Sequence, residues 1–279
     1  MLTQTAFEVT ELCDALAVAR SAYYAWQTSA PNCFEQEEAR LQPLVREVFM
    51  QHRRRYGARR IARELTARGL PCNRRKAGKL LENMGLAAIQ PKSFKPRTTE
   101  SRHRWGYNPN LLLEGIDVQR INQVWVGDIT YVPLTNRFAY LALLMDLHSR
   151  RIVAWSLNTS MEESLVIETL KLAIRARQPA AGLIHHTDRG GQYAGGEYRR
   201  MLARAEMRQS MSRAGDCYDN AFMESCFGTL KTELEMTAYS SLQQARKEIQ
   251  EYINYYNAIR RHSAIEYLSP TSFELLKNS

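Results

Sequence analysis

No two cysteines in this 279-residue sequence stand at C-x-x-C spacing, and no histidine follows a cysteine at zinc-finger distance. The five cysteines, Cys13, Cys33, Cys72, Cys217 and Cys226, are odd in number and scattered. That pattern argues against a disulfide framework or a structural zinc and for reduced, mostly buried thiols. A chain this long buries roughly 75% of its unfolded surface and needs no such staples. Long apolar runs are missing too: the longest, residues 138–145, ends at Asp146, far short of the ~20 residues a membrane span requires. No Lys or Arg precedes Arg20, so the basic region of a secretory signal is absent and a cytoplasmic location with no membrane partner is expected. There is no G-x-S-x-G and no tyrosine in a recognisable nucleophile setting, which leaves serine-hydrolase and tyrosine-nucleophile chemistry unsupported. Internal repeats and low-complexity tracts are also lacking.

Acidic residues are scarce in one part of the chain. Residues 51–104 contain 16 Lys and Arg against 3 Asp and Glu. Residues 105–279 hold 19 of each, so the whole net charge of +9 lies in the first third. Charge clustered in this way concentrates counterions and favours a polyanion, most plausibly nucleic acid, over a basic face kept for solubility.

Along the chain, residues 10–27 suggest two short helices, with Ser21 as N-cap of the second, and an amphipathic helix follows over residues 34–52. Gly57 then precedes a helix carrying Ile61, Ala62 and Leu65, and Gly69 stops it. Asn73 caps a second helix, with Ala77, Leu80, Leu81 and Met84, that ends at Gly85. Two short helices about a Gly-Leu-Pro turn read as a helix-turn-helix. Arg74, Arg75, Lys76 and Lys79 lie where its second helix would meet DNA, and Arg59 and Arg60 open the first. Residues 90–104, basic and interrupted by Pro91 and Pro96, read as an extended linker. The organisation expected is a helical segment over 1–50, a helix-turn-helix-like DNA-binding domain over 51–90, a basic linker over 91–119, and a catalytic core with a helical extension over 120–279.

Within that core three β-rich runs, around residues 123–134, 137–147 and 151–158, predict an antiparallel meander. A helix over 161–176, a short strand at 182–188, a helix over 196–205, a strand at 208–212 and helices over 220–236 and 242–258 follow. Three strands, then helix and strand alternating, is the order of a ribonuclease-H-like α/β domain, a mixed sheet flanked by helices. Three carboxylates stand out. Asp128 interrupts an apolar strand, Asp188 ends one and leads into Arg189-Gly190-Gly191, and Glu224 lies on a helix with Lys231 two turns further along the same face. Singly they have ordinary explanations: an exposed strand face, a turn aspartate, a solvated helical glutamate. Together, with 59 residues between the aspartates and 35 between Asp188 and Glu224, they make an all-oxygen set suited to two Mg²⁺ or Mn²⁺ ions. Two such ions ~3.5–4 Å apart drive in-line phosphodiester displacement. His185 and His186 face opposite ways on a strand, so at most one can point to the site. Asp146 reads as structural, Asp216 and Asp219 as loop and cap groups, and the Tyr252, Tyr255, Tyr256, Asn257, Arg261, His262 cluster as packing.

The segments ARSAYYAW, RRYGARRIARELTARG, NQVWVGDITYVPL, LLMDLHSRRIVAWSL, HHTDRGGQY, DNAFMESCFGTLKTE and NYYNAIRRHSAIEYLSPTSFE together resemble the OrfB-type transposases of two-frame bacterial insertion sequences, within the superfamily of DDE transposases and retroviral integrases. The resemblance covers nearly the whole chain; Thr187 and Gly191 stand where that family commonly has serine. It implies that Asp128, Asp188 and Glu224 bind the metal ions and that Lys231 contacts DNA near the reacting end. It also implies cleavage at element ends, transfer of the freed 3′-hydroxyl to another strand, a circular intermediate, a homo-oligomer on double-stranded DNA at the bacterial nucleoid, and a partner or frameshift fusion from an upstream frame. A non-catalytic DNA-binding regulator and a ribonuclease-H-like nuclease are the alternatives.

Overall fold

The computed structural model describes residues 8–28, 32–91, 107–213 and 221–277. The chain divides into two compact units, the first ending at Ala87 and the second beginning at Ala88. Most of the expected linker, the expected cap at Asp219-Asn220, Asp216 and Cys217 lie outside the described residues. Of the other cysteines, all free, Cys13, Cys72 and Cys226 are buried and Cys33 is exposed.

The first unit is helical: α1 (Val9–Ala15), α2 (Arg20–Thr28), α3 (Cys33–Gln51), α4 (Ala58–Ala67) and α5 (Arg74–Asn83). Ser21 does not cap α2. The helix begins one residue earlier, its first turn closed by Ala22 and Tyr23 N–H groups donating to the Ala19 carbonyl. α3 opens on a capping box, Asn32 accepting from the Phe34 and Glu35 N–H groups and the Glu35 carboxylate from that of Asn32. Its buried Leu41, Val45, Val48 and Phe49 belong to the same packed bundle as Ile61, Ala62 and Leu65 of α4 and Ala77, Leu80 and Leu81 of α5. Gly69 ends α4 at φ +77°, a left-handed conformation glycine adopts without steric cost, and Asn73 Oδ1 accepts the Lys76 N–H at 2.8 Å to start α5.

The second unit is a five-stranded mixed sheet in the order β3-β2-β1-β4-β5. Its strands are β1 (Val124–Pro133), β2 (Phe138–Asp146), β3 (Ile152–Asn158), β4 (Ile184–Thr187) and β5 (Arg208–Met211). β1, β2 and β3 form the expected antiparallel meander; β4 then pairs parallel to β1, and β5 parallel to β4. The crossover from β3 to β4 carries α6 (Glu163–Arg177), and that from β4 to β5 carries the one-turn α7 (Gly191–Ala194) and α8 (Gly196–Arg204). α9 (Ala221–Glu233), α10 (Leu242–Ala258) and α11 (Pro270–Lys277) complete the unit. Alternation along β1 sends Trp125 toward α6 and α8, and Val124, Val126 and Val132 toward α9 and α10. The result is the ribonuclease-H-like, three-layer arrangement. Among the described residues no helix is long and apolar enough to cross a membrane.

Two buried ionic clusters fix the outer helices, and neither was visible in the sequence pattern. The Arg260 guanidinium donates to both oxygens of Glu233, from Nη2 at 2.7 Å and Nε at 2.9 Å, and Tyr252 donates to the same carboxylate at 3.1 Å. The end of α9 is thereby tied to α10 and the turn after it. On α11, Glu274 accepts from Ser149 Oγ at 2.7 Å, from Arg151 at 2.6 Å and from Arg177 at 2.7 and 3.0 Å, so one carboxylate joins α11, the β2–β3 turn and α6. The expected packing role of the tyrosine cluster holds as well. Tyr252 and Tyr256 are buried, His262 lies edge-on to Tyr256 at 4.5 Å, and the Asn257 amide donates to and accepts from the Ile152 backbone at 2.9 Å each.

Burial alone would raise the Glu274 carboxyl, but the Arg177 bonds, then Ser149 and Arg151, outweigh it and hold the group below the ordinary carboxylate range. A folded pKa below the unfolded one stabilises fully above the usual carboxylate range, and the benefit is lost as pH falls through the folded value. Glu274→Gln should therefore cost ~3–5 kcal/mol at pH 7, the scale for breaking a buried ionic cluster, with the difference shrinking below pH ~4. Urea denaturation of both proteins across pH measures this; a gap independent of pH contradicts it.

Candidate active site

Asp128 and Asp188 are brought together by strand register. The last parallel pair between β1 and β4 is Gly127 with Thr187, and each aspartate is the next residue along. They stand abreast at about the 4.8 Å spacing of neighbouring strands. Asp128 Oδ1 accepts the Ile129 N–H at 2.7 Å, and Asp188 Oδ1 accepts the Gly190 N–H at 2.9 Å. Two glycines make the crowding possible. A Cβ on Gly127 would lie 2.6 Å from Leu144 Cδ2 and 3.1 Å from His185 Cε1, and one on Gly190 would lie 3.0 Å from Asp188 Oδ1.

α9 runs over the same face as Asp128. Met223, Cys226, Phe227 and Leu230, spaced three and four apart, are its buried stripe, and this sets Glu224 and Lys231 on the flank beside it. Glu224 is exposed and Lys231 half-buried. The Arg150 guanidinium lies over the Phe222 ring at 4.6 Å and so pins the start of α9 to the β2–β3 turn. Burial, then the neighbouring Asp188 and more weakly Glu224, push the Asp128 carboxyl well above its usual range, against the Ile129 N–H and Lys231, which favour the anion. Burial lowers Lys231, and the Asp128 charge opposes that shift. Asp128 therefore feels the charge of the other three. As the chain stands they are not a closed cage: among the described residues no group of three or more His, Cys, Asp or Glu is spaced to hold an ion. The donor set is nevertheless all oxygen and anionic, with like charges crowded in a poorly solvated corner, which suits a hard divalent cation.

The remaining candidates take other places. His185 and His186 do face opposite ways. His185 Nε2 lies 2.6 Å from the Tyr198 hydroxyl, and burial, then His186, push the ring down to about 3, so it is neutral at physiological pH. His186 lies on the other face, Nδ1 2.8 Å from Ser210 Oγ and Nε2 3.2 Å from Ser212 Oγ. Asp146 is buried and accepts from the Asn122, His148 and Ser149 N–H groups, closing the β2–β3 turn as expected. Tyr193, not foreseen, is buried beside the pair; burial first, then the charges of Asp128, Tyr198 and Asp188, raise its phenol well above the usual value. Its place in HHTDRGGQY, five residues after Asp188 on the next short helix, was the available signal.

In the first unit Arg59, Arg74 and Arg75 are exposed. Arg60 is half-buried, its guanidinium 5.6 Å from the centre of the Tyr56 ring and bonded to the Arg55 carbonyl at 3.4 Å. Lys76 Nζ lies 2.5 Å from Glu37 and Lys79 Nζ 2.6 Å from Glu38, both on α3.

Asp128→Asn removes the carboxylate that is both desolvated and repelled. In EDTA at pH 7 this variant should melt a few degrees above wild type, the shift that about 1 kcal/mol gives a domain of ~150–250 residues. Calorimetry showing a lower midpoint contradicts the account of the repulsion.

Two family models described as an integrase core domain match residues 118–217 and 205–270, and one described as an HTH-like domain matches residues 35–94. The chain is 38% identical over 264 residues to a 31 kDa protein of insertion element IS600 from Shigella sonnei, covering 94% of this chain and 97% of that protein. It is 38% identical over 246 residues to the transposase of IS904 from Lactococcus lactis, with 88% and 97% covered. To the transposase InsF of IS3 from Escherichia coli K12 it is 36% identical over 275 residues, with 97% and 95% covered. The chain belongs to the IS3 family of insertion-sequence transposases, and its second unit is the ribonuclease-H-like integrase core of a DDE transposase.

Proposed function

We propose that Asp128, Asp188 and Glu224 are the carboxylates of this transposase that hold two Mg²⁺ or Mn²⁺ ions, and that Lys231 binds DNA beside them. Catalytic cores of the integrase family use divalent metals. The observation that carries the residue assignment is the juxtaposition of Asp128 and Asp188 by parallel register, with the charge of Glu224 felt from α9. Asp128 and Asp188 supply the fixed side of the site, each oriented by a backbone N–H. Glu224, exposed on α9, has the rotamer freedom to close the set from above. Bound there, the ions supply Lewis-acid activation of a water or 3′-hydroxyl and charge stabilisation at the leaving 3′-oxygen. Lys231 offsets negative charge next to Asp128 and is placed to meet a phosphate of the incoming strand. In the first step a phosphodiester at an element end is hydrolysed, freeing a 3′-hydroxyl. In the second that hydroxyl attacks a phosphorus of another strand, one P–O bond forming as another breaks, with no covalent protein intermediate; joining the two ends leads to a circle.

The helix-turn-helix-like unit binds the element ends through the exposed Arg59, Arg74 and Arg75, while Arg60, half-buried, and Lys76 and Lys79, paired with α3 glutamates, add to the charge around them without making the contacts. A homo-oligomer on DNA brings two ends together, at the nucleoid of a bacterial cell, with the upstream-frame product as partner or as a frameshift fusion. End cleavage assayed with and without that product should rise when it is present; equal rates argue that this chain acts without it.

Asp128→Asn, Asp188→Asn and Glu224→Gln should each lower cleavage and strand transfer ~10³-fold or more, the loss of several kcal/mol of charge stabilisation, while duplex binding changes little. Lys231→Ala should cost about tenfold. Strand transfer retained by any of the three carboxylate variants, with purified protein and Mg²⁺, sinks the assignment. A wild-type protein that nicks but never joins would instead favour a nuclease.

A further inference from the structure

The two sides of α5 differ in their charge partners. Lys76 and Lys79 face α3, where each sits within 2.6 Å of a glutamate carboxylate, Glu37 and Glu38. The first half of α3 also carries Glu35, taken up in the cap, and Arg40. Counting these with the two lysines, three acids meet three bases, so that side of the unit has no net charge. The bond from Lys76, followed by the nearby Lys76 and Arg40 charges, outweighs the slight effect of burial and holds the Glu37 carboxyl below its usual range, so the pair stays ionised at neutral pH.

The opposite side is different. Gly78 of α5 packs against the start of α4, where a Cβ on Gly78 would lie 3.7 Å from Ala58 Cβ. Arg74 is one turn before Gly78 on the same face, and Arg59 follows Ala58, so both flank this crossing. Arg75 points outward next to them. All three are exposed, and among the described residues no acidic side chain is bonded to any of them. Glu82, the single acid on α5, lies at its far end, and Glu64 of α4 pairs with Arg68.

We propose that α3 decides which side of the helix-turn-helix meets DNA: Glu37 and Glu38 neutralise the Lys76–Lys79 side and turn phosphates away, leaving Arg59, Arg74 and Arg75 to make the contacts. The proposal rests on the reading of this unit as DNA-binding and narrows it. Surface ion pairs contribute little to stability. Their effect here is on the field: a phosphate that draws Lys76 or Lys79 from its partner gains one attraction and meets the glutamate left behind. Repulsive elements of this kind set orientation and specificity more than affinity.

The test uses the full chain and two labelled duplexes, one with the element's terminal sequence and one scrambled, with binding measured from about 50 to 300 mM salt. Each phosphate contact contributes about −0.9 to the slope of log K against log salt. Arg59→Ala, Arg74→Ala and Arg75→Ala should each flatten the slope by up to ~1, whereas Lys76→Met and Lys79→Met should leave it within ~0.3. The double variant Glu37→Gln, Glu38→Gln should steepen the slope and tighten the scrambled duplex at least ~3-fold, a gain that misfolding cannot produce. Lysine variants that flatten the slope while the arginine variants do not overturn the proposal. So does a glutamate double variant that binds no more tightly. Wild type that shows no salt-dependent binding to either duplex overturns the DNA-binding reading itself.

Discussion

Parallel pairing of β1 with β4 forces two carboxylates side by side in the middle of an apolar sheet, where β4 ends. Asp128 and Asp188 follow the last paired residues, and burial together with mutual repulsion makes the Asp128 anion costly. Such a pair persists only where the surrounding backbone over-determines it. Here the flanking strands β2 and β5 fix β1 and β4 from outside, and Gly127 lets Leu144 and His185 close in beneath the site. On the proposed assignment the unfavourable charge is what a divalent cation would relieve, so a local cost to the fold would serve the site.

The third carboxylate and its lysine depend on different forces. α9 is held by its buried stripe, by Arg150 over Phe222 at its start, and by the Glu233–Arg260–Tyr252 cluster at its end. Glu224 itself remains exposed. In the proposed site two carboxylates are thus held by the backbone and the third is on a helix that is anchored while its side chain is exposed. On the proposed assignment, that division would let the site accept a bulky strand first and complete its ligand set afterwards.

Much of this was legible in the residues. Strand alternation around Asp128, the glycine turn after Asp188 and the 3–4 spacing of α9 each follow from local chemistry, and the antiparallel meander within a mixed α/β class followed from the order of elements. The abreast placement of the aspartates was not legible without the parallel register, which no local pattern encodes. The same holds for Glu233 and Glu274, whose partners lie 19 to 125 residues away. A charged residue on an amphipathic helix looks the same whether it faces water or a buried guanidinium. The N-cap assigned to Ser21 failed because Ala19 offers a backbone carbonyl and no side chain, leaving the preceding turn without a visible signal. In the first unit the density of arginine and lysine was evident from 51 to 104, but not that Glu37 and Glu38 cancel part of it.

On the proposed reading the two units divide the work by charge: net positive residues in the first would gather DNA, and crowded negative residues in the second would gather the cations that act on it. The anomalous difference density of Mn²⁺ bound to the full-length protein tests this division at its centre. The account predicts a peak between the carboxylates of Asp128 and Asp188, with Glu224 turned toward it, that disappears in Asp128→Asn. Manganese bound only elsewhere, or a peak between the strands that survives loss of the Asp128 charge, would contradict it.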